Sequence, residues 1–186
     1  MNGNVDSSYL FSYVGYDTTC KVTGDTEATD GTQKPLVENL DLLHVNGVTN
    51  MTGMFQYMGY SKMKSLDLGD TFDTSNVADM SSMFYKTGYT VMKNFNLGSK
   101  FDTNNVTSMS NMFYQAGRQA LTTLDLGEKF NTNKVTNMSG MFNWMGALET
   151  LNLGENFDTS KVTNMSGMFW GTGYSKMTSF SLGDKF

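Results

Sequence analysis

The sequence predicts a repeat solenoid, and three observations predict it. The string from Leu124 to Phe142, LDLGEKFNTNKVTNMSGMF, recurs four more times in variants of L-x-L-G-x-x-F-x-T-x-x-V-T-x-M-S-x-M-F. Its Met-Phe pair falls at Met54-Phe55, Met83-Phe84, Met112-Phe113, Met141-Phe142 and Met168-Phe169, at spacings of 29, 29, 29 and 27. A fixed period in this range marks units that bury their apolar faces only by stacking on their neighbours. Each unit also holds one apolar-polar-apolar triplet. The expected coil therefore has one short parallel β-strand per 27–29 residues and a return path of turns or 3₁₀ structure.

Charge and composition narrow the function classes. The 186 residues carry a net charge of −5 with no Lys/Arg cluster, so their field repels phosphate backbones and anionic lipid headgroups. Nucleic acid is excluded as an expected partner. No apolar run approaches the ~20 residues of a membrane span, and the first residues lack a basic start followed by an apolar stretch. The single cysteine, Cys20, forms no disulfide framework or C-x-x-C pair, and the single histidine, His44, has no second His at metal-ligand spacing.

Residues 1–35 fall outside the repeat and are expected to form an N-terminal cap. They contain an aromatic, β-prone segment from Tyr9 to Val14 and a polar loop from Thr23 to Gln33. A cap would shield the first coil from water and from edge pairing; a small separate binding element is the alternative. Pro35, the only proline, stands just before the repeats.

Residues 36–186 hold five repeats and the start of a sixth. The first is degenerate, with Val37, Leu40 and Leu42 in the places of Met63, Leu66 and Leu68. The triplets are Leu40-Asp41-Leu42, Leu66-Asp67-Leu68, Phe95-Asn96-Leu97, Leu124-Asp125-Leu126, Leu151-Asn152-Leu153 and Phe180-Ser181-Leu182. Stacked, they predict a parallel sheet with about 4.8 Å between coils. From the second triplet onward each is followed by a glycine, as at Gly69 and Gly98, which fits a turn at positive φ or a close backbone approach. Val77, Met80 and Met83 are three apart, a spacing for a tight turn-rich return rather than a long helix. The segment after each Met-Phe pair changes length by two residues in the fourth copy, which places it in a surface loop. Because the chain stops inside a sixth unit, it reads as a segment of a longer protein from which a signal or anchor has been removed.

The combination L-x-x-L-x-L-G with V-T-x-M-S-x-M-F resembles the BspA-like leucine-rich repeats of bacterial surface proteins, particularly the methionine-phenylalanine variant of mycoplasmas and lactobacilli. The likeness runs from about residue 37 to 186, with substitutions such as Ala78 for the Thr and Thr52 for the Ser, and without the asparagine that closes the usual leucine-rich turn. It implies a right-handed leucine-rich-repeat-like solenoid on a secreted or cell-wall-attached protein, with adhesion or host interaction as its role. It carries over no catalytic residue.

Candidate contact residues are those the repetition leaves free. One column, Asp67, Asn96, Asp125 and Asn152, faces solvent on the strand side, with Ser65, Asn94, Thr123 and Thr150 beside it. Stacked Asp and Asn offer oxygen acceptors to calcium or to sugar hydroxyls. The alternation of Asp with Asn also relieves like-charge repulsion along the ladder, and a solvated face is favoured over calcium. Tyr57, Tyr85, Tyr114, Trp144 and Trp170 follow the Met-Phe pairs, and Tyr60, Tyr89 and Tyr174 follow a glycine in the variable loop. Such side chains suit a protein surface or sugar rings, or pack on the coil edge. The sixteen methionines keep a fixed register, which favours core packing over metal binding. The Asp/Asn-Thr step, as at Asp73-Thr74 and Asp158-Thr159, recurs in every full copy and reads as a turn motif, since catalysis needs one asymmetric constellation. No catalytic, cofactor or metal site is expected. The sequence thus points to an extracellular adhesion module for a host or neighbouring-cell protein or glycan, with a stalk or spacer as the alternative.

Overall fold

The computed structural model describes residues 5–15 and 45–186. The expectations for Cys20, the Thr23 to Gln33 loop, Pro35, Val37, the Leu40-Asp41-Leu42 triplet and His44 lie outside the described residues.

The described chain consists of strands and turns, with no helix. Six strands of two or three residues are present: β1 (Val5–Asp6), β2 (Val48–Asn50), β3 (Ser65–Asp67), β4 (Asn94–Asn96), β5 (Thr123–Asp125) and β6 (Thr150–Asn152). In β5 and β6 the central leucine is buried and its two neighbours are exposed, as period-two alternation requires. All three pairs are parallel; β1 with β2 shifts register between Val5 and Asp6, whereas β3 with β4 and β5 with β6 stay in register, Leu66 opposite Phe95 and Leu124 opposite Leu151, so equivalent residues of these adjacent repeats are direct neighbours.

The triplets do not merge into one continuous sheet. β3 pairs with β4 and β5 with β6, and no pairing joins β4 to β5 among the described residues. The interruption falls beside Phe95, the one aromatic centre among these four strands, whose ring lies edge-on 4.9 Å from Phe84 and 5.9 Å from Phe113. The N–H groups of Leu68 and Leu126 donate to the carbonyls of Asn96 and Asn152, whereas the equivalent Leu97 N–H makes no such bond. The sixth triplet, Phe180 to Leu182, is exposed and forms no strand. What runs unbroken is a second column of parallel bridges, Asn50 to Asp79 to Ser108 to Asn137 to Asn164.

The return path is a run of turns. The N–H groups of Met83, Tyr85 and Thr87 donate to the carbonyls of Met80, Ser82 and Phe84, three residues back; those between them, on Ser82, Phe84 and Lys86, donate to Ser110, Met112 and Tyr114 of the next repeat. Alternate amides thus close the turn and bond the neighbour, which meets the demand that buried backbone groups be paired. Such a path needs left-handed residues. Gly53, Ser82, Asn111, Gly140 and Gly167, each just before the second Met, have positive φ, and so do Tyr57, Lys86, Gln115, Trp144 and Gly171, two residues after the Phe. The first set is Gly, Ser or Asn, small side chains that reduce the cost of this conformation. A different constraint holds Gly98: at φ +80, a Cβ there would lie 1.9 Å from the Gly69 carbonyl oxygen.

The core is a column. Phe11, Phe55, Phe84, Phe113, Phe142 and Phe169 stack with centroids 5.4–5.7 Å apart and planes within 13° of each neighbour. Phe72, Phe101, Phe130 and Phe157 pack obliquely against it at 5.9–6.4 Å. Val77, Met80 and Met83 and their equivalents in the next two repeats are fully buried. Residues 5–15 extend this stack although their sequence reads as outside the repeat. Ser7, Tyr9, Phe11 and Tyr13 donate N–H bonds of 2.8–3.0 Å to the carbonyls of Asn50, Thr52, Met54 and Gln56, and Leu10-Phe11 takes the Met-Phe place.

Candidate functional site

The strand-side column is held by its own repeats. Asp67, Asn96, Asp125 and Asn152 are exposed, and each Oδ1 accepts the N–H of the glycine two residues on, at 2.9–3.1 Å. This is the turn geometry Asp and Asn side chains favour. Asn96 also donates its Nδ2 to Asp67 at 3.0 Å, and Asn152 to Asp125 at 3.2 Å. The alternation of Asp with Asn therefore joins as well as relieves. Ser65 is half-buried, and Asn94, Thr123 and Thr150 are exposed on the same strands.

The Asp/Asn-Thr step is scaffold too. Oδ1 of Asp73, Asp102, Asn131 and Asp158 accepts the N–H two residues on, at 2.8–3.0 Å. Those bonds, with the Ser75 backbone first and its hydroxyl second, hold the Asp73 carboxyl below the usual carboxylate range; at Asp158 the Ser160 hydroxyl leads and its backbone follows. Inside the stack Thr103 donates Oγ1–H to the Asn131 carbonyl at 2.8 Å and accepts the Asn131 N–H at 2.7 Å. Thr74 and Thr132 bridge their next repeats in the same way.

The aromatic candidates share one flank in two registers. Tyr57 and Trp144 stand two residues after the Phe; Tyr85, Tyr114 and Trp170 stand one after. Tyr13 stacks on Tyr57 at 4.7 Å and Tyr85 on Tyr114 at 4.7 Å, while the step from Tyr57 to Tyr85, where the register changes, is wider and tilted, at 5.5 Å and 57°. Burial, followed by the neighbouring phenols of Tyr57 and Tyr114, pushes the Tyr85 hydroxyl up to about 12. A second row continues the flank: Tyr60 stacks on Tyr89 at 4.6 Å, Arg118 donates to the Tyr89 hydroxyl at 2.7 Å, and its guanidinium lies 4.7 Å from the Trp144 ring centre. Tyr174 sits 6.0 Å beyond Trp144. Trp170 is the outlier, 69% exposed, with the other rings of its set half-buried.

Lys86 and Arg118 lie against these rings and are missed by the aromatic pattern alone. The Lys86 ammonium lies 5.2 Å from the Tyr57 ring and 5.4 Å from the Tyr85 ring, a cation–π distance. Their signal was positional: Lys86 occupies the Tyr57 register and Arg118 the Tyr89 register. Trp144 keeps positive φ, a sparsely populated conformation for so large a residue, and its indole lies where a Cβ on Gly171 would be, at 2.7 Å. Tyr57, Tyr60, Tyr85, Tyr89 and Tyr114 each stack one face on a neighbouring ring, while Trp170 and Tyr174 stand exposed at the far end of the flank.

An open cavity of about 1080 Å³ lies on the strand side of the last repeats, lined by Asp125, Glu128, Asn152, Glu155, Ser181 and Asp184 among others. Among the described residues no group of three or more His, Cys, Asp or Glu is arranged to hold a metal ion, and no helix is long and apolar enough to cross a membrane.

The sequence profile of a family described as "Mycoplasma protein of unknown function, DUF285" matches residues 26–126 and again 90–180. No curated protein and no solved structure matches the chain. With two overlapping matches that together take in every complete repeat, the chain belongs to this DUF285 family of Mycoplasma proteins.

Proposed function

We propose that the chain is a non-catalytic, extracellular binding module of a secreted or cell-wall-attached bacterial surface protein, a BspA-like, right-handed, leucine-rich-repeat-like solenoid whose aromatic flank contacts a partner protein. The observation that carries this is the row of Tyr57, Tyr60, Tyr85, Tyr89, Tyr114 and Trp144 with Lys86 and Arg118 along one side. The scaffold needs no aromatic there, since Gln56, Gln115 and Asn143 occupy equivalent positions. Tyr, Trp and Arg are the side chains that dominate protein contact surfaces. Stacking takes one face of Tyr57, Tyr60, Tyr85, Tyr89 and Tyr114 away from a sugar ring and leaves their edges and hydroxyls beside two cations, so a protein is favoured over a glycan.

Binding of the labelled chain to arrays of extracellular-matrix proteins and of glycans tests the reading. Selective capture by a protein, lost on combining Tyr85→Ser, Tyr114→Ser and Trp144→Ser, is expected. Capture that survives those changes would remove the flank from the proposal. The second reading is a spacer, favoured by the strand-side Asp and Asn groups, which are engaged in the repeats' own turns. It predicts no capture on either array.

A further inference from the structure

Charge is sorted by position along the coil. In the segments that lead from each Met-Phe pair to the next strand, residues 56–64, 85–93, 114–122 and 143–149, five cations, Lys62, Lys64, Lys86, Lys93 and Arg118, stand against one carboxylate, Glu149. In the stretches that begin with each strand, residues 65–73, 94–102, 123–131 and 150–158, eight carboxylates stand against Lys100 and Lys129. Stacking turns this order into two stripes. Strand stretches lie side by side where β3 pairs with β4 and β5 with β6. The loop segments do so through the N–H groups of Thr90, Lys93, Gln119 and Ala147, which donate to the carbonyls of Tyr60, Lys64, Tyr89 and Arg118 at 2.9–3.1 Å. A chain whose net charge of −5 repels polyanions from a distance thus carries one basic stripe, and the aromatic rows lie within it.

The chain does not neutralise this stripe itself. Glu149 is taken by Lys176 at 3.1 Å, and Lys62, Lys86, Lys93 and Arg118 make no ion pair among the described residues. Lys62 and Lys93 are exposed. Lys86 rests on the Tyr57 and Tyr85 rings, and Arg118 lies 5.6 Å from the Tyr89 ring centre and 4.7 Å from that of Trp144. A ring face orients a cation without cancelling its charge. Arg118 gives one N–H to the Tyr89 hydroxyl, which leaves the rest of its donor fork for a carboxylate. The basic stripe also borders the acidic one directly, since Lys64 and Lys93 immediately precede β3 and β4. A nucleic acid or sulfated polysaccharide, charged on every side, would be repelled at that border, whereas a peptide that turns its carboxylates one way would not.

We infer that the partner presents an acidic polypeptide segment in which Asp or Glu alternates with apolar residues. Its carboxylates pair with Lys86, Lys93 and Arg118, and its apolar side chains lie between them against Tyr85, Tyr89 and Trp144. The inference rests on the aromatic-flank reading and adds to it the chemistry of the partner.

Selection of short random peptides on the full chain tests it, with the captured sequences then synthesised and titrated by fluorescence anisotropy. They are expected to be enriched in Asp and Glu, and to bind more weakly in about 1 M salt, where the screening length is about 3 Å. Combining Lys86→Glu, Lys93→Glu and Arg118→Glu should weaken binding by about thirtyfold. Combining Lys100→Glu, Lys129→Glu and Lys134→Glu changes the net charge equally but away from the flank, and should leave binding within about twofold. If the first set loses its far-ultraviolet dichroism, Lys86→Gln, Lys93→Thr and Arg118→Tyr replace it, the residues that Gln115, Thr122 and Tyr89 supply at those registers, with a loss of about fivefold expected. Failure to capture any peptide overturns the inference, as does binding that the two charge-reversed sets weaken equally. So does heparin that binds more tightly than every captured peptide, which would make the partner a sulfated glycan. Captured peptides with no acidic excess overturn it too, and if Tyr85→Ser, Tyr114→Ser and Trp144→Ser together abolish their binding, the flank reading stands without it. Acidic peptides that the aromatic changes leave bound would instead count against the flank reading, and this inference would fall with it.

Discussion

Thr103 shows how closely single side chains tie one repeat to the next. Its hydroxyl donates to one backbone group of the following repeat and accepts from another, so Thr103→Val strands the Asn131 N–H and carbonyl in a part-buried setting beside the buried Thr103. Urea unfolding should report a loss of about 2 kcal/mol or more for Thr103→Val, with Thr103→Ser much closer to wild type. Gly98 poses a steric question and Gly127 only a conformational one. Gly127→Ala meets nothing within 4 Å and should cost about 1–2 kcal/mol for its positive φ, whereas Gly98→Ala also meets the Gly69 carbonyl and should cost clearly more in the same experiment. Tyr85 titrates near 12 because its phenolate would be desolvated beside Tyr57 and Tyr114. Its folded value lies above the unfolded 10.0, so its contribution to stability is complete below pH 10 and is lost as pH rises toward 12. Absorbance titration should show one phenol ionising late, and Tyr57→Phe should bring it down.

At the scale of elements, the strands were legible because a leucine between two polar residues has one placement on a half-buried strand. Their grouping was not legible. Phe95 fits the apolar slot of the pattern as well as leucine does, and the interruption between β4 and β5 beside it depends on how its ring meets Phe84 and Phe113 in space. Hydrogen exchange should register the interruption: the Leu97 amide, buried but without the bond that Leu68 and Leu126 make, should exchange faster than either. The turn block was legible as a spacing of three and as Ser, Thr and Gly beside methionine. Its alternation of bonds was hidden, because period-two hydrogen bonding leaves no mark on side-chain hydrophobicity. The same blindness hid residues 5–15, where Leu10 replaces the methionine and Asp6-x-Ser8 replaces Asn50-x-Thr52.

For the whole molecule, repetition is what made the core readable: residues at one register are buried together from Phe11 to Phe169. The candidate contact residues were found by the same means, as positions where copies disagree, and their geometry then divided them. The Asp67 to Asn152 column turned out to be bonded within the stack, while the aromatic flank gained Lys86 and Arg118. Which side of a repeat is occupied by its neighbour is a property of packing, and a list of variable positions does not carry it. The alternating amides of the turn block have one further consequence. They give the block a phase, in the sense that a text in three-letter words has a reading frame. One residue inserted between Met80 and Thr87 would exchange the amides that close turns with those that reach the neighbour, and every bond beyond it would be addressed to the wrong partner. The loop after the block carries no such phase and has absorbed a two-residue deletion in the fourth repeat. From Gly69 onward, variation in length is therefore confined to the segment beside the aromatic flank, where the shape of the surface can change while the stack stays in step.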